Sequence, residues 1–190
     1  MNGAAERTAS EPPVAMKIRE LTREELPQLW KIDRAEWVNH VYHHRDGELV
    51  LVPEFHDTRD WPPGEAEQYA PLLRDCIDSG GTCYGAYENE ALIGAAVLES
   101  RFIGPDRDRL QLKFLHVSQR SRKSGLGRTL FEKVAAKAKG LGARRLYISA
   151  TPTENTVEFY LRRGCRVAEW LDPALFALEP EDIHLDFELQ

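Results

Sequence analysis

The apolar pattern between residues 92 and 150 changes its period twice, and this constrains the fold more than any other feature. Residues 92–98 form an almost wholly apolar run, which is typical of a buried strand. Residues 110–117 then alternate, and residues 146–150 form another short apolar run. Between these two segments the apolar residues recur at every fourth position, as in an amphipathic helix: Leu126, Leu130, Val134 and Ala138. The order predicts an α/β chain in which a helix connects two strands.

Other patterns predict a mixed sheet with helices on both faces. Further strands are predicted at 16–21, at 83–87 in a hairpin with 92–98 through the turn at 88–90, and at 183–189. Further helices are predicted from the Thr22 and Glu25 capping box along a face reaching Trp37, at 65–77, and from Pro152, with Thr151 as cap, to a stop at Gly164.

The alternation in 110–117 contains one fault. Leu110, Leu112 and Phe114 share a face, after which the apolar phase slips to Leu115 and Val117. A slip of one residue is what a β-bulge leaves in a sequence. A strand buried on both faces would give the same letters, so both interpretations stay open.

Residues 38–64 are rich in histidine, acids and proline, and they are predicted to form an insertion or loop, with 49–52 as one candidate strand. Four histidines lie near Asp57 in this stretch: His40, His43, His44 and His56. Their spacing matches no standard ligand template, so no metal site is predicted.

Length and composition favour one domain over residues 16–190, preceded by a polar, disordered tail at 1–15. That tail has no apolar run and therefore predicts neither a signal peptide nor a membrane anchor. No later segment approaches the roughly twenty apolar residues of a bilayer span. The three cysteines are odd in number and lack CxxC spacing, which favours a reducing, cytoplasmic location: Cys76, Cys83 and Cys165.

Charge is unevenly distributed along the chain. The net charge is −6, yet residues 101–145 hold thirteen Lys or Arg against three acids, a net of +10. This block indicates a polyanionic ligand held locally. Nucleic acid is a weak candidate because no nucleic-acid motif accompanies the block and the whole chain is acidic.

The segment from Val117 to Arg128 runs from a strand end to a helix start and contains Gly125 and Gly127. Backbone N–H groups at such a junction, aided by the helix dipole, can bind an anion. A dinucleotide-binding fingerprint lacks its third small residue, since Leu130 stands there, and no Gly-Lys-Ser/Thr loop occurs. A plain helix-start turn therefore stays open.

Two motifs taken together indicate which kind of anion-binding loop this segment forms. The pattern Arg122-x-x-Gly125-x-Gly127 is followed by Phe159-Tyr160-x-x-x-Gly164. Residues 92–167 thereby resemble the GNAT superfamily, the general-control-related N-acetyltransferases. The resemblance implies an α/β (α+β) fold with a mixed, mostly antiparallel central sheet and helices on both faces. Two positions depart from the family pattern, since Thr153 falls where Asn is frequent and Cys165 where Phe is frequent.

The resemblance also implies a site for acetyl-coenzyme A as co-substrate. The residues that it places against the coenzyme are Leu115, Val117, Arg122, Lys123, Ser124, Gly125, Leu126, Gly127, Arg128 and Asn155. Backbone N–H groups of 122–128 would bind the diphosphate, and a splayed strand at 115–117 would pair with the pantetheine arm. Tyr160 is the candidate general acid for the leaving thiolate. Its position on an apolar stripe, taken alone, indicates packing only.

The implied activity is direct transfer of an acetyl group to a primary amine of a small molecule or peptide. Acids beside aromatic residues at 37–61 favour a cationic acceptor. Four residues are candidate bases and none is chosen: Glu36, His40, Glu54 and Glu99. Cys165 is predicted to be a buried filler rather than a nucleophile. The alternative is a non-catalytic acyl-coenzyme A sensor, and a homodimer is left open.

Overall fold

The computed structural model describes residues 16–189, so the predicted tail at 1–15 lies outside the described residues. The strands are β1 (Lys17–Glu20), β2 (Glu36–Arg45), β3 (Glu48–Thr58), β4 (Thr82–Glu88), β5 (Ala91–Leu98), β6 (Arg109–Val117), β7 (Arg145–Ala150), β8 (Arg166–Val167) and β9 (Ile183–Glu188). The α-helices are α1 (Glu65–Asp78), α2 (Leu126–Gly140), α3 (Glu154–Leu161) and α4 (Pro173–Leu178). Two 3₁₀ helices lie at Arg23–Lys31 and Gln119–Ser121.

Seven strands form one sheet in the order β1-β4-β5-β6-β7-β9-β8. Every neighbouring pair is antiparallel except β6 with β7, which are the two strands connected through α2. The predicted mixed, mostly antiparallel sheet is therefore confirmed.

Helices cover both faces of this sheet, as predicted. On one face, the buried stripe of α2 packs in a core that contains Leu130 and Val134 beside Ala96 of β5. On the other face, α1 and the first 3₁₀ helix bury Leu29 and Leu73 against the opposite side of β5. The nearly continuous apolar run of β5 follows from this arrangement, because both faces of the strand are covered.

Strand β6 contains a bulge, one of the two interpretations that the sequence left open, although it does not lie where the alternation slips. Val97 pairs with Phe114 and Leu98 pairs with Leu112, so Lys113 is the extra residue. The bulge rotates the following residues, because Phe114 joins the α1-side core while Leu115 packs on the α2 side.

Strands β6 and β7 then separate. They pair only over Arg109–Gln111 and 145–147, although β6 continues to Val117 and β7 continues to Ala150. The backbone of 112–117 consequently lacks a neighbouring strand on that side, and a V-shaped opening forms in the middle of the sheet.

The prediction of a loop at 38–64 is wrong. Most of this segment is the antiparallel pair β2–β3, joined by a turn at Asp46 and Gly47 with φ of 52° and 83°. Asp-Gly is a strong hairpin signal, since both turn residues adopt positive φ. The candidate strand at 49–52 lies within β3, whereas β2 and the rest of β3 were missed because this two-stranded ribbon buries few side chains and its hydrophobic alternation is weak.

Two predicted helix boundaries need correction. The first helix is a 3₁₀ helix that ends at Lys31, and Trp37 lies in β2; Pro27 inside it donates no N–H and disfavours a longer α-helix. The third helix is capped by Thr153 and not by Thr151. Pro152 lies before it and accepts a hydrogen bond from the Tyr42 N–H at 2.7 Å, which docks the β2–β3 hairpin on this end of α3.

The short helix α4 was not predicted. Asp172 caps it by accepting from the N–H groups of Ala174 and Leu175 at 3.0 and 3.1 Å, and Pro173 occupies its first turn. The helix brings Glu179 back towards α1, where its carboxylate accepts a hydrogen bond from the Tyr69 hydroxyl.

Candidate active site

A cleft of about 1440 Å³ passes through the opening between β6 and β7. One end is formed by the loop before α2, and the other by α1 and the segment after α4. Nine predicted site residues line it: Leu115, Val117, Arg122, Lys123, Gly125, Gly127, Arg128, Asn155 and Tyr160. Ser124 and Leu126 do not line it, although both belong to the loop.

The loop before α2 exposes backbone donors. Gly125 has φ of 90° and Lys123 has φ of 62°, both in the left-handed region. The N–H groups of Lys123, Ser124 and Gly125 donate to no acceptor within residues 16–189. The first turn of α2 adds further N–H groups, since the earliest hydrogen bond of that helix runs from the Thr129 N–H to the Gly125 carbonyl. This junction therefore has the donors and dipole that an anion requires.

The side chains of the loop hold its shape. Arg122 donates through Nε to the Val117 carbonyl at 3.1 Å and through Nη2 to the Arg34 carbonyl at 3.1 Å. Its own N–H donates to Gln119 at 3.2 Å, so Arg122 braces the loop. The Ser124 hydroxyl donates to the Ser121 carbonyl at 2.7 Å. A diphosphate contact from any of these residues stays a prediction.

Packing explains Gly127 and Leu126, whereas backbone conformation explains Gly125. The Leu126 side chain is buried, so only its backbone faces the loop. A Cβ at Gly127 would lie 3.1 Å from the Phe159 ring, a tight contact that joins the loop to α3. No atom crowds Gly125, and its requirement for glycine is the positive φ.

Tyr160 lies on α3 and borders the cleft from the α2 side. Its ring packs among Phe131 and Phe159, with 5 % of the residue exposed. Burial raises the pKa of Tyr160 above its usual range, and the nearby Cys165 thiol raises it further. The hydroxyl therefore keeps its proton through the neutral pH range.

The start of α3 supplies an amide to the cleft. Thr153 caps the helix by accepting from the Thr156 N–H at 3.4 Å, which is a structural role for the residue that replaces the family's frequent Asn. Asn155 donates to the Glu36 carboxylate at 2.8 Å, and Arg122 lies 3.6 Å from the same carboxylate. Glu36 thus links the hairpin, the loop and α3.

Of the four candidate bases, only Glu36 lines the cleft. Glu99 is buried beside Lys113 at 3.7 Å, and His40 pairs with Glu154 at 3.0 Å. Glu54 lies on the exposed face of β3 beside His56 at 3.6 Å.

An aromatic wall forms on the α1 side of the opening. Trp61 stacks on Phe114 with centroids 5.9 Å apart and meets the His116 ring edge at 4.9 Å. The Trp61 indole donates to the Ile32 carbonyl at 3.0 Å, and Arg34 covers its other side at 4.8 Å. Burial lowers the pKa of His116 to about 3, and the charge of Arg34 lowers it further, so its imidazole is neutral at physiological pH.

Carboxylates gather at the same end. Glu179 accepts from Tyr69, and Glu65 pairs with Arg34 at 2.8 Å. Burial raises the pKa of Asp182 well above its usual range, and the charges of Glu179 and Glu65 raise it further. The end of the cleft opposite the loop is therefore acidic and holds a proton that a cation could displace.

The sequence interpretation did not identify this second end. His116 shares a strand face with Phe114, which was a weak signal in the alternation of β6. Glu65, Tyr69, Glu179 and Asp182 come from two distant segments, and no local pattern connects them.

Two other features bear on chemistry. The three cysteines are free and buried, and burial raises the pKa of Cys165 to about 12, so its thiol is a poor nucleophile at neutral pH. Within residues 16–189, no three His, Cys, Asp or Glu side chains are grouped to hold a metal ion. None of the helices in that range has the length and apolar character to cross a bilayer.

Solved structures of similar fold are acetyltransferases and related enzymes. Nourseothricin acetyltransferase superposes with a TM-score of 0.70 at 19% identity, covering 93% of this chain and 99% of that chain. N-acetylglutamate synthase from Neisseria gonorrhoeae, complexed with coenzyme A and N-acetyl-glutamate, superposes with a TM-score of 0.61 at 19% identity. The match covers 96% of this chain and 36% of that chain. PaiA N-acetyltransferase from Thermoplasma acidophilum, in complex with coenzyme A, superposes with a TM-score of 0.59 at 17% identity. The match covers 92% of this chain and 99% of that chain.

At the level of sequence, no curated protein matches the chain. The model of the acetyltransferase (GNAT) family, however, matches residues 26–165, which span the first 3₁₀ helix, the cleft and α3. Because this match covers most of the chain and both motifs of the cleft, the chain belongs to the acetyltransferase (GNAT) family.

Proposed function

We propose that the protein transfers an acetyl group from acetyl-coenzyme A directly to a primary amine of a cationic acceptor. One observation supports this most strongly. A loop of free backbone N–H groups, an unpaired strand edge and the Tyr160 ring all border one continuous cleft. A long ligand with a diphosphate at one end and a thioester at the other can contact all three of these groups along the cleft.

The coenzyme is positioned by backbone atoms. The N–H groups of Lys123 to Gly125 and the first turn of α2 bind the diphosphate, aided by the helix dipole. The free edge of 115–117 pairs with the amides of the pantetheine arm, as a neighbouring strand would. Two of the structural neighbours were crystallised with coenzyme A, which supports this ligand.

The transfer needs few groups. The neutral amine nitrogen attacks the thioester carbonyl carbon, and a backbone N–H at the Lys113 bulge stabilises the oxyanion. The carbon–sulfur bond then breaks, and Tyr160 donates its proton to the thiolate. The amine loses its proton to solvent, and Tyr160 is reprotonated from solvent. No acyl-enzyme is required, in keeping with the buried Cys165.

The acceptor occupies the acidic end of the cleft. Glu179 and Asp182 line this end together with Phe114. Trp61 supports the Phe114 ring from behind by stacking on it. Carboxylates beside aromatic rings suit a cationic amine with an apolar body. The acids predicted for this role at 37–61 lie mostly on the hairpin, whereas these two follow α4.

Calorimetry with acetyl-coenzyme A, followed by release of coenzyme A in the presence of an amine panel, tests the proposal. We expect binding, and turnover that is fastest for acceptors with a second positive charge. Binding without turnover on any amine would favour the sensor, and turnover only with neutral or acidic amines would contradict the cationic acceptor.

A further inference from the structure

The cations that border the cleft differ in whether a carboxylate neutralises them. Five have an acidic partner within 4.0 Å: Arg34, Lys113, Arg122, Arg128 and Arg162. Lys123 and Arg163 also border the cleft and form no ion pair with any carboxylate of residues 16–189. Lys123 belongs to the loop already assigned to the diphosphate, so Arg163 is the cation that the proposed function leaves unexplained.

Arg163 is held in a defined position. Its guanidinium lies over the Phe159 ring at 3.4 Å from the centroid, and Nη1 donates to the Phe159 carbonyl. Its Nε is buried and has no hydrogen-bond partner within the described chain. Burial lowers the pKa of Arg163, and the charge of Arg128 lowers it further. An unneutralised, half-buried guanidinium with a free donor is costly unless an anion completes it.

The position of Arg163 beside the loop indicates which anion its guanidinium binds. Phe159, the ring beneath its guanidinium, also touches Gly127 at the start of α2. Arg163 therefore lies beside the diphosphate loop but on a different element. The nearest acid on α2, Glu132, is already bound to Arg128 at 2.6 Å. A ligand bound at both places must carry a second anionic group a short distance from its diphosphate.

Building on the proposed function, we propose that Arg163 binds the 3′-phosphate on the ribose of coenzyme A. The residue would then determine specificity, because acetyl-coenzyme A carries this phosphate and acetyl-3′-dephospho-coenzyme A lacks it. Phe159 holds the guanidinium fork in place, so little side-chain freedom is lost when the phosphate binds.

The test compares both thioesters as substrates for the unmodified protein and for Arg163→Gln. In the unmodified protein we expect KM to be about 10- to 100-fold lower for acetyl-coenzyme A, the range of one or two charge-assisted hydrogen bonds. Arg163→Gln should raise KM for acetyl-coenzyme A by a similar factor and leave KM for the dephospho substrate unchanged. That unchanged value also shows that the variant is folded.

Arg162→Gln is the matched control, since Arg162 is the adjacent arginine and is paired with Glu158 at 2.7 Å. It should leave the ratio of the two KM values unaltered. If Arg163→Gln does not fold, Arg163→Lys keeps the charge without the fork and should show an intermediate ratio. Equal KM values for both thioesters in the unmodified protein would overturn the role of Arg163 while leaving the acetyltransferase proposal intact. Failure of both thioesters to bind would instead contradict the proposed function itself.

Discussion

The two ends of the cleft are built in different ways. The end proposed for the diphosphate consists of backbone N–H groups from one short segment, 123–127, and its side chains mainly brace the loop. The end proposed for the acceptor consists of side chains from β6, α1 and the segment after α4, and Trp61 packs behind them on Phe114. One end is local and made of backbone, and the other is distributed and made of side chains.

Because of this difference, substitutions affect the two ends of the cleft differently. A backbone site depends on a few torsion angles, so most substitutions outside the glycines leave it in place. A side-chain site changes with each residue that borders it. Under the proposed function, the cleft would keep one coenzyme while residues such as Glu179 and Asp182 set its acceptor specificity. Four measurements would break or sharpen this comparison.

The largest effect is expected at the junction of the two ends. Tyr160→Phe should lower kcat by roughly 10²- to 10⁴-fold, because the leaving thiolate loses its proton donor. Because Phe keeps the ring packed against Phe131, KM for both substrates should hardly change. Steady-state release of coenzyme A measures both constants. An unaltered kcat would remove Tyr160 from the mechanism.

The next effect tests the backbone end. Gly125→Ala places a side chain at φ of 90°, which costs about 1–2 kcal/mol or distorts the loop, and should weaken acetyl-coenzyme A binding by about 10- to 30-fold. Gly142→Ala is the matched control, with φ of 93° and equally open space at the other end of α2. Calorimetry and thermal unfolding should show similar destabilisation in both variants and weakened binding only in the first. Weakened binding in both would mean that the loop is not the site.

A smaller effect is expected at the side-chain end. Asp182→Asn should raise KM for a cationic acceptor by about 10-fold, the lower value for one hydrogen bond to a charged group, and should leave acetyl-coenzyme A binding unchanged. Glu181→Gln, an exposed acid in the same segment, is the control. A rise in KM for the coenzyme instead would contradict the division of the cleft into two ends.

The smallest effect concerns pH. Because burial and neighbouring acids raise the pKa of Asp182, its carboxyl is neutral at low pH and becomes charged as pH rises through that raised value. KM for a cationic acceptor should therefore fall by about two- to threefold as pH rises across this range. Asp182→Asn should remove this dependence of KM on pH. A KM that rises with pH in the unmodified protein, and not in the variant, would have the wrong sign.

Local sequence patterns were sufficient to predict most of the sheet and the loop that forms the backbone end of the cleft. The turn at Asn89 and Glu90 closes β4–β5 as predicted, with φ of 47° and 63°. The phase slip in β6 left a bulge and a strand buried on both faces as alternatives, and only the structure shows the bulge and places it at Lys113.

Errors arose where tertiary contacts decide the local structure. The β2–β3 hairpin has little apolar alternation because it buries few side chains. It docks at α3 through the Tyr42–Pro152 backbone hydrogen bond and the side-chain contacts of Glu36 with Asn155 and His40 with Glu154. Helix α4 is six residues long, and only its Asp172 cap marks it in the sequence. In both places the signal lay in turn or cap chemistry rather than in hydrophobic period.

The sequence by itself determined the order of most strands and helices, the family and the loop at 117–128, because each depends on residues close together in the chain. Only the tertiary structure decided that Tyr69, His116 and Asp182 share one end of a cleft, and that Arg163 has no carboxylate partner among residues 16–189. Hydrophobic period and turn chemistry act over a few residues, whereas burial and charge pairing depend on which distant segments the fold brings together.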